Sequence, residues 1–515
     1  MTIQKTLLSG LSGLLLLSSS ASAQFNWKRH YEVEQIDPPE GADYQIGGLD
    51  YAKNGDLIAC FHRGEVRTYN EGSKQWKLFA SGLHEPLGIY VEENGDVLVI
   101  QRGELTRLHD DDGDGVADFY ENVSNDWGLS GNYHEFTFGL VKDSKKNIYI
   151  SLGTASNMAG AREQIRGEWN DTGGLSHDKF LPKDGNEWKV MREEIPRMYA
   201  RVPYRGCVLK ISPDSKKAEV YATGVRTPNG LYVDENDQLW VSDNQGDWVG
   251  ASKIHKIKEG GFHGHAASLL WAENPPEVTP AELPVEELEA RRTKAPVLLP
   301  QGDCGNSITQ MLGIERDFIP YSSEESKKGH LLVGEMNHPR LIRYLPDSVN
   351  GVEQGTATHL LDTSMIDSGN NRLLYSKDGK SLYIGKTHLS WPGREGIRKI
   401  TYTGKPFLFV ENVKLTKKGF ELTFNADIST EKSAEDVFVD SYRIAYHDSY
   451  GSKKYEQKEM PCSSFKVDGN TLTLEFTEPL IKDRVYDITI PRKIKSKIGN
   501  LSYNRFWYTA HEVYE

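Results

Sequence analysis

One two-part line recurs six times along the chain. An apolar stretch that opens on Gly or Leu is followed by a polar turn and a second apolar stretch. The copies begin at Gly48 (GLDYAKNGDLIA), Gly88 (GIYVEENGDVLV), Gly139 (GLVKDSKKNIYI), Gly230 (GLYVDENDQLWV), Gly313 (GIERDFIPYSSEESKKGHLLV) and Leu373 (LLYSKDGKSLYI). Two short apolar runs joined by an Asn-Gly, Asp-Gly or Lys-rich turn read as antiparallel neighbours. A third run follows several copies, as in Gly64-EVRTY, Gly103-ELTRL and Gly396-IRKITY. A sheet of three or four such strands cannot bury both faces alone, so the units must stack on one another. Six copies about forty to ninety residues apart therefore predict an all-β chain built on a six-bladed β-propeller. Loops from every blade of such a ring share one pocket at the channel mouth.

The repeat breaks off near residue 406. Beyond it, the segments that start at Val413, Tyr442, Phe465 and Val485 alternate apolar and polar residues between polar turns. A stretch of that kind predicts a small immunoglobulin-like β-sandwich over 407–515, with its own core and separable from a propeller over 24–406. Two insertions interrupt the propeller, at about 156–203 and 265–300, and the second holds a short helix near Glu286–Arg292. Insertions of this length are expected to roof the pocket.

Residues 1–23 carry one Lys, the apolar run LLSGLSGLLLL and the small-residue exit Ala21-Ser22-Ala23. This reads as a cleaved signal peptide, too short in its apolar part to span a bilayer, and predicts a secreted or periplasmic protein. The net charge of −13 argues against nucleic acid or an anionic membrane as the main partner, and no segment predicts membrane insertion. Cys60, Cys207, Cys304 and Cys462 include no Cys-x-x-Cys pair. They leave two readings open, a pair of disulfides or isolated buried thiols.

The sharpest local motif is the loop Asp110–Asp118. Asp110, Asp112, Asp114 and Asp118 follow the D-x-D-x-D-G-x-x-D pattern, and Glu121 stands at the twelfth position. Calcium takes six or more hard oxygen ligands, so these five residues are the expected calcium ligands, in a loop stiffener rather than a catalytic centre. Chemistry is expected elsewhere, where polar residues cluster at blade ends. His134 and Glu135, after Tyr133, precede the first strand of the third unit, and a His there suits a base at neutral pH. Arg226, Asn229, Asn244, Asp247, Trp248 and His263 fall on turns of the fourth unit. Such a set fits a sugar or an anionic cofactor, with Arg for charge, amides for hydroxyls and an indole for a ring face. His263-x-His265 without a carboxylate at a known spacing does not predict a transition metal. Arg102, Arg340, Lys386 and Trp391 place further polar and aromatic groups after strands of other units.

The segments Gln101-Arg-Gly-Glu-Leu-Thr-Arg-Leu, Asn132-Tyr-His134, Gly224-Val-Arg226-Thr-Pro-Asn-Gly, Asp243-Asn-Gln-Gly-Asp247-Trp, Gly260-Gly-Phe-His-Gly and Gly393-Arg-Glu-Gly-Ile together carry a resemblance. Over roughly 44–402 the chain resembles the glucose/sorbosone dehydrogenase family, secreted six-bladed propellers that use pyrroloquinoline quinone. The resemblance implies a quinone-dependent sugar dehydrogenase. In it, His134 is the base on the sugar hydroxyl and Arg226 helps hold the quinone. Lys386 and Arg340 are the candidates to hold its carboxylates. The family's Asn beside that Arg is Thr227 here, and Glu135 follows the His. The cytochrome c motif of some relatives is absent, so a separate electron acceptor is implied. The residues leave two further readings open. One is a cofactor-free lyase or dehydratase that acts on acidic oligosaccharides through His134, Glu135 and Arg226. The other is a non-enzymatic carbohydrate-binding protein.

Overall fold

The computed structural model describes residues 25–182, 192–388 and 395–515. The signal-peptide segment and Trp391 lie outside the described residues. Five four-stranded antiparallel units follow one another around a ring, and a sixth closes it. Blade one runs through Ile46–Tyr51, Leu57–Phe61, Glu65–Asn70 and Gln75–Ala80, and blade two through Gly88–Val91, Val97–Ile100, Leu105–His109 and Phe119–Ser124. Blade three is Thr137–Lys142, Ile148–Leu152, Cys207–Ile211 and Ala218–Thr223. Blade four is Gly230–Val233, Leu239–Asp243, Ser252–Lys256 and Val297–Leu299. Blade five is Ile308–Gly313, Leu331–Glu335, Leu341–Val349 and Val352–Leu360. In blade six Asn370–Tyr375, Ser381–Lys386 and Ile397–Tyr402 take their outer strand from the other end of the chain. Tyr31–Ile36 pairs with Ile397–Tyr402, Tyr31 opposite Tyr402 and Ile36 opposite Ile397.

Each recurrent sequence line forms the innermost strand, the turn and the second strand of one blade. In blade one the turn closes on Gly55, whose φ of +92° is open to Gly at little cost. The second strands are buried along their whole length, and Leu57–Phe61 and Val97–Ile100 are wholly apolar, because blades pack on both of their faces. The inner strands crowd the axis: a Cβ on Gly88 would stand 1.6 Å from the Gly139 carbonyl oxygen. That close approach is why these strands open on glycine.

The axis is filled. Arg372 is fully buried and donates from Nε to Gly47 O at 2.6 Å, from Nη2 to Leu87 O at 3.0 Å and from Nη1 to Asn229 Oδ1 at 2.8 Å. One side chain of blade six thus ties together backbone of blades one and two and the entry to blade four. Burial lowers its pKa to about 10. Its partners are neutral oxygens, so it acts as a hydrogen-bond hub rather than one half of an ion pair.

Insertions leave the ring within blade three and within blade four. Within the first, Ala155–Ser156 pairs with Met198–Tyr199, and Ala161, Phe180 and Ile195 form a small core. The second contains the helix Val285–Arg291 and then returns as the outer strand of blade four, so its last residues belong to the ring.

The C-terminal sandwich packs Val410–Leu415, Gly419–Phe424, Thr471–Phe476 and Cys462–Asp468 against Arg505–Ala510, Arg484–Thr489, Phe438–Ile444 and Lys454–Glu459. Its separability is corrected by two contacts. Arg505–Ala510 pairs with Val352–Leu360, so blade five and one sandwich sheet form a single eight-stranded sheet. Leu345 and Val349 of blade five also sit in the sandwich core. A finger of the sandwich, Tyr446–Tyr450, reaches further and pairs with Asp247–Val249 at the end of blade four. The cysteines are free thiols, and Cys60, Cys207 and Cys304 are buried, which settles the two readings in favour of isolated thiols.

Candidate active site at the channel mouth

The loop before blade three is held rigidly. Asn132 Oδ1 accepts from the His134 and Ser156 amides at 3.1 Å each, and its Nδ2 donates to Ser156 O and Ala159 O. Arg102 donates to the carbonyl oxygens of Asn132, Tyr133 and Glu135, and its guanidinium lies 4.9 Å from the Phe136 ring. Arg102 is therefore a clamp on the loop, not a ligand-facing cation.

His134 is half-buried on this loop. Its Nδ1 lies 2.8 Å from Thr154 O. A carbonyl can only accept, so Nδ1 carries the proton and Nε2 keeps its lone pair. Burial, reinforced by the charge of Arg226, lowers its pKa to about 3. The imidazole is thus neutral throughout the physiological range.

Arg226 stands beside it. Its carbonyl accepts from the Thr154 amide at 3.0 Å, and its own amide and that of Thr227 point at the Asp243 carboxylate at 3.2 and 2.7 Å. Asp243 is fully buried. Burial alone would raise its pKa, but Lys253 at 3.0 Å and His255 at 3.7 Å hold it well below the carboxylate range. The Arg226 guanidinium touches Thr227 Oγ1 and Met198 Sδ, and its Nε has no protein partner. Gly246 makes room for it, since a Cβ there would meet Arg226 Cδ at 2.4 Å.

Two neighbours come from unexpected places. Arg197, on the first insertion, has its Nε 3.2 Å from Asp247 Oδ1. Two guanidiniums lie over the ring of Tyr450, on the sandwich finger, Arg197 at 4.2 Å and Arg226 at 5.5 Å. Such contacts hold a cation over a ring face. Burial raises the Asp247 pKa to about 6 against the pull of Arg226 and Arg197. A cavity of about 130 Å³ opens beside this group, lined by Arg197, Met198, Arg201, Asp247, Trp248 and Asp448 among others. Near Arg226, several buried polar atoms have no hydrogen-bond partner among the described residues: Arg226 Nε itself, Asn244 Oδ1, Gln245 Oε1 and both ring nitrogens of His265. Burial and Arg226 lower the His265 pKa to about 3.

The structure brings His134, Tyr133, Arg226, Asn244 and Asp247 to this end of the ring, with the Tyr133 ring edge-on to His134 at 5.7 Å. Several other expectations are corrected. Glu135 is turned inward, its carboxylate accepting from Ser130 N at 2.8 Å and Ser130 Oγ at 2.7 Å, and braces the loop. Asn229 belongs to the Arg372 hub. Trp248 lines the cavity from within a small core that it shares with Phe262, Leu269 and Leu288, so it is a wall rather than an exposed ring face. His263 is buried 5.0 Å from the His255 ring, with Nε2 facing the Lys258 amide. Arg340 is engaged by His338 and Glu335. Lys386 is wholly buried under the carbonyls of Ile366, Asp367 and Ser368 and the Asn370 amide oxygen, so it cannot reach a ligand carboxylate. Arg197, Tyr450, Asp448 and His265 were not among the expected residues. Only His265, in the Gly-Phe-His-Gly-His run, carried a sequence signal.

The acidic loop lies in the outer hairpin of blade two, between Leu105–His109 and Phe119–Ser124. Carboxylate oxygens of Asp110, Asp112 and Asp118 converge within 4.8 Å. Asp114 Oδ1 instead accepts from the Val116 amide. Glu121 is drawn away by Lys216 at 2.5 Å and Arg107 at 2.6 Å, which lower its pKa to about 2, so it is not a ligand of the loop.

Residues 406–509 match the family model of the bacterial Ig-like domain. That is the C-terminal sandwich. No curated protein matches the chain. Among solved structures, the soluble aldose sugar dehydrogenase of Escherichia coli in its apo form is 14% identical. It covers 72% of this chain and 99% of its own, with a TM-score of 0.43. The PQQ-bound aldose sugar dehydrogenase of Streptomyces coelicolor is also 14% identical and covers 72% and 98%, with a TM-score of 0.43. The PQQ domain of pyranose dehydrogenase from Coprinopsis cinerea is 12% identical and covers 72% and 95%, with a TM-score of 0.46. Likenesses this distant speak to neither substrate nor cofactor, and the propeller stands on its own strand pairing.

Proposed function

We propose that the protein is an exported carbohydrate oxidoreductase in which His134 removes the hydroxyl proton of a sugar bound at the channel mouth. The carrying observation is the His134 tautomer: Nδ1 is committed to Thr154 O, leaving a neutral Nε2 as acceptor. Arg226 and Arg197 supply positive charge beside it, and the buried amide oxygens of Asn244 and Gln245, without partners among the described residues, would accept from sugar hydroxyls that reach them.

The same orphaned atoms and two guanidiniums fit pyrroloquinoline quinone. Arg226 and Arg197 would hold its carboxylates, in place of the expected Lys386 and Arg340. When bound, that group supplies a two-electron acceptor for the hydrogen leaving the sugar carbon. This chain's part is to take the proton at His134 Nε2, to orient the sugar and to exclude water with the insertion and the finger. Repeated turnover would require a separate electron acceptor. The test is direct: titrate the purified protein with the quinone and calcium, then measure dye reduction with a panel of aldoses. Quinone-loaded protein that reduces no dye with any aldose would overturn this reading.

A second reading is favoured by Asp247, an acid with its pKa raised to about 6 near a base with its pKa lowered to about 3. In a lyase, Arg226 would bind a uronate carboxylate, His134 would take the α-proton and Asp247 would protonate the departing oxygen. Appearance of an unsaturated uronate without added quinone would select it.

A further inference from the structure

A groove of about 820 Å³ separates the outer edge of blade six from the sandwich. It shares no residue with the cavity beside Arg226. Arg29 and Lys405 line one side, and Arg492, Lys493, Lys495 and Lys497 line the other, with no carboxylate among the lining residues. On a chain of net charge −13 this concentration of one sign is against the average.

The local sequence explains how the charges come to face one way. Arg492 and Lys493 form a turn, and Lys495–Ser496 pairs with Gly499–Asn500 in a small hairpin whose turn carries Lys497. Ile494 is fully buried in the sandwich core. With Ile494 anchored there, the turn and the hairpin leave Lys493, Lys495 and Lys497 exposed on the groove side. Arg29 and Lys405 are brought opposite by the closure of blade six, where the His30 ring bonds to Lys405 O at 2.8 Å. Arg29, Lys405, Lys495 and Lys497 have no carboxylate partner among the described residues. These four like charges repel one another, and an anionic ligand relieves that cost.

We propose that this groove binds a chain of anionic sugars, carboxylated or sulfated. Lysines supply charge without demanding the bidentate geometry that arginine gives phosphate. Asn26 and Asn500 offer exposed amides for hydroxyls, and the half-exposed Phe25 ring, stacked on His30 at 5.2 Å, offers a flat apolar face. A nucleic acid carries charge far more densely along its length than a glycan with one charge per ring. The acidic surface around the groove disfavours it accordingly.

The test is a binding titration of the full chain by fluorescence anisotropy. Four labelled probes are used: oligogalacturonate, a heparin-derived oligosaccharide, a neutral maltooligosaccharide and oligo-dT. At least one of the two anionic glycans should bind, and which one tells carboxylate from sulfate. Its affinity should fall about tenfold or more as salt is raised from low to physiological strength. Lys495→Glu with Lys497→Glu should weaken it about tenfold, and so should Arg29→Glu with Lys405→Glu on the opposite wall. Arg226→Ala should leave unchanged the salt-sensitive binding that the two reversals remove, which separates this groove from the channel-mouth site. Should one charge-reversed pair fail to fold, the other decides. Failing both, the wild-type comparison of charged with neutral probes still does. Equal affinity for the neutral probe, tighter binding of oligo-dT than of both glycans, binding untouched by either reversal, or loss of binding in Arg226→Ala would each overturn the proposal.

Discussion

His134 and Arg226 are fastened to the same residue: Thr154 accepts from His134 Nδ1 through its carbonyl and donates from its amide to the Arg226 carbonyl. The base and the cation beside it therefore move together, although one enters blade three and the other blade four. Since Arg226 helps hold the His134 pKa down, the acid limb of turnover should lie well below the usual histidine range near pH 6.5. Replacing Arg226 with Gln should shift that limb upward, toward the range of an ordinary buried His. His134→Ala should lower turnover by about a hundredfold or more with folding intact, as expected for loss of a general base. An acid limb that stays in place in Arg226→Gln would dissociate the two residues.

Tyr450 predicts a dependence of the site on the sandwich. Its ring lies over Arg197 and Arg226, and it is half-exposed at a finger tip where little else rests on it. Tyr450→Ala should leave the melting temperature within about a degree or two and weaken binding of the channel-mouth ligand several-fold, while Tyr450→Phe keeps most of it. Unchanged binding in the Ala variant would mean that the finger only shelters the cavity.

Truncation after Pro406 should give insoluble or strongly destabilised protein. It would strip Arg505–Ala510 from Val352–Leu360 and expose Leu345 and Val349, leaving a long unpaired edge beside an uncovered apolar face. Expression of 1–406 beside the full chain, followed by the soluble fraction and thermal unfolding, checks this. A soluble propeller with an unchanged melting temperature would restore the separable-domain expectation.

Asp247 should leave a signature in the pH dependence of stability. The folded chain keeps its proton up to about pH 6, whereas an unfolded aspartate releases it near pH 4. Between those values the unfolded state loses its proton first, so stability falls as pH rises through the window and is flat above it. Asp247→Asn should accordingly gain about 2–3 kcal/mol over wild type above pH 6 and nothing below pH 4. Urea unfolding of both proteins across that range measures it, and a difference independent of pH would rule out the linkage.

Calcium should raise the melting temperature through Asp110, Asp112 and Asp118 and not through Glu121, which Lys216 and Arg107 hold. Asp112→Asn should abolish the effect, and Glu121→Gln should spare it. The pair of melting curves with calcium and with chelator distinguishes the two carboxylates.

The ring was legible because its signal is local: a glycine, an alternating strand and a tight turn repeat within each blade, and the copies can be counted. The nearness of His134 and Arg226 was legible for the same reason, since each precedes the inner strand of a blade and the repeat fixes which end of the ring that is. Glu135 shows the limit. Its neighbour faces the site, but alternation along the loop turns Glu135 toward Ser130, and no spacing tells which of two adjacent polar residues points outward. Lys386 failed because a lysine capped by four oxygens looks in sequence like one awaiting a ligand. Tyr450 and Arg197 were beyond reach, because pairing between the sandwich finger and blade four joins residues some two hundred apart. Periodicity carries no register across such a distance.

The way the ring is fastened also sets a timetable for its birth. Tyr31–Ile36 is made first but waits for Ile397–Tyr402, and blade five waits for Arg505–Ala510, almost the last residues of the chain. At about 5–20 residues per second, the opening strand stays without its partner for roughly 20 to 70 seconds of synthesis. During that interval the growing chain holds complete inner blades beside open edges. Whatever escorts it must keep those edges from other chains until the final strand arrives.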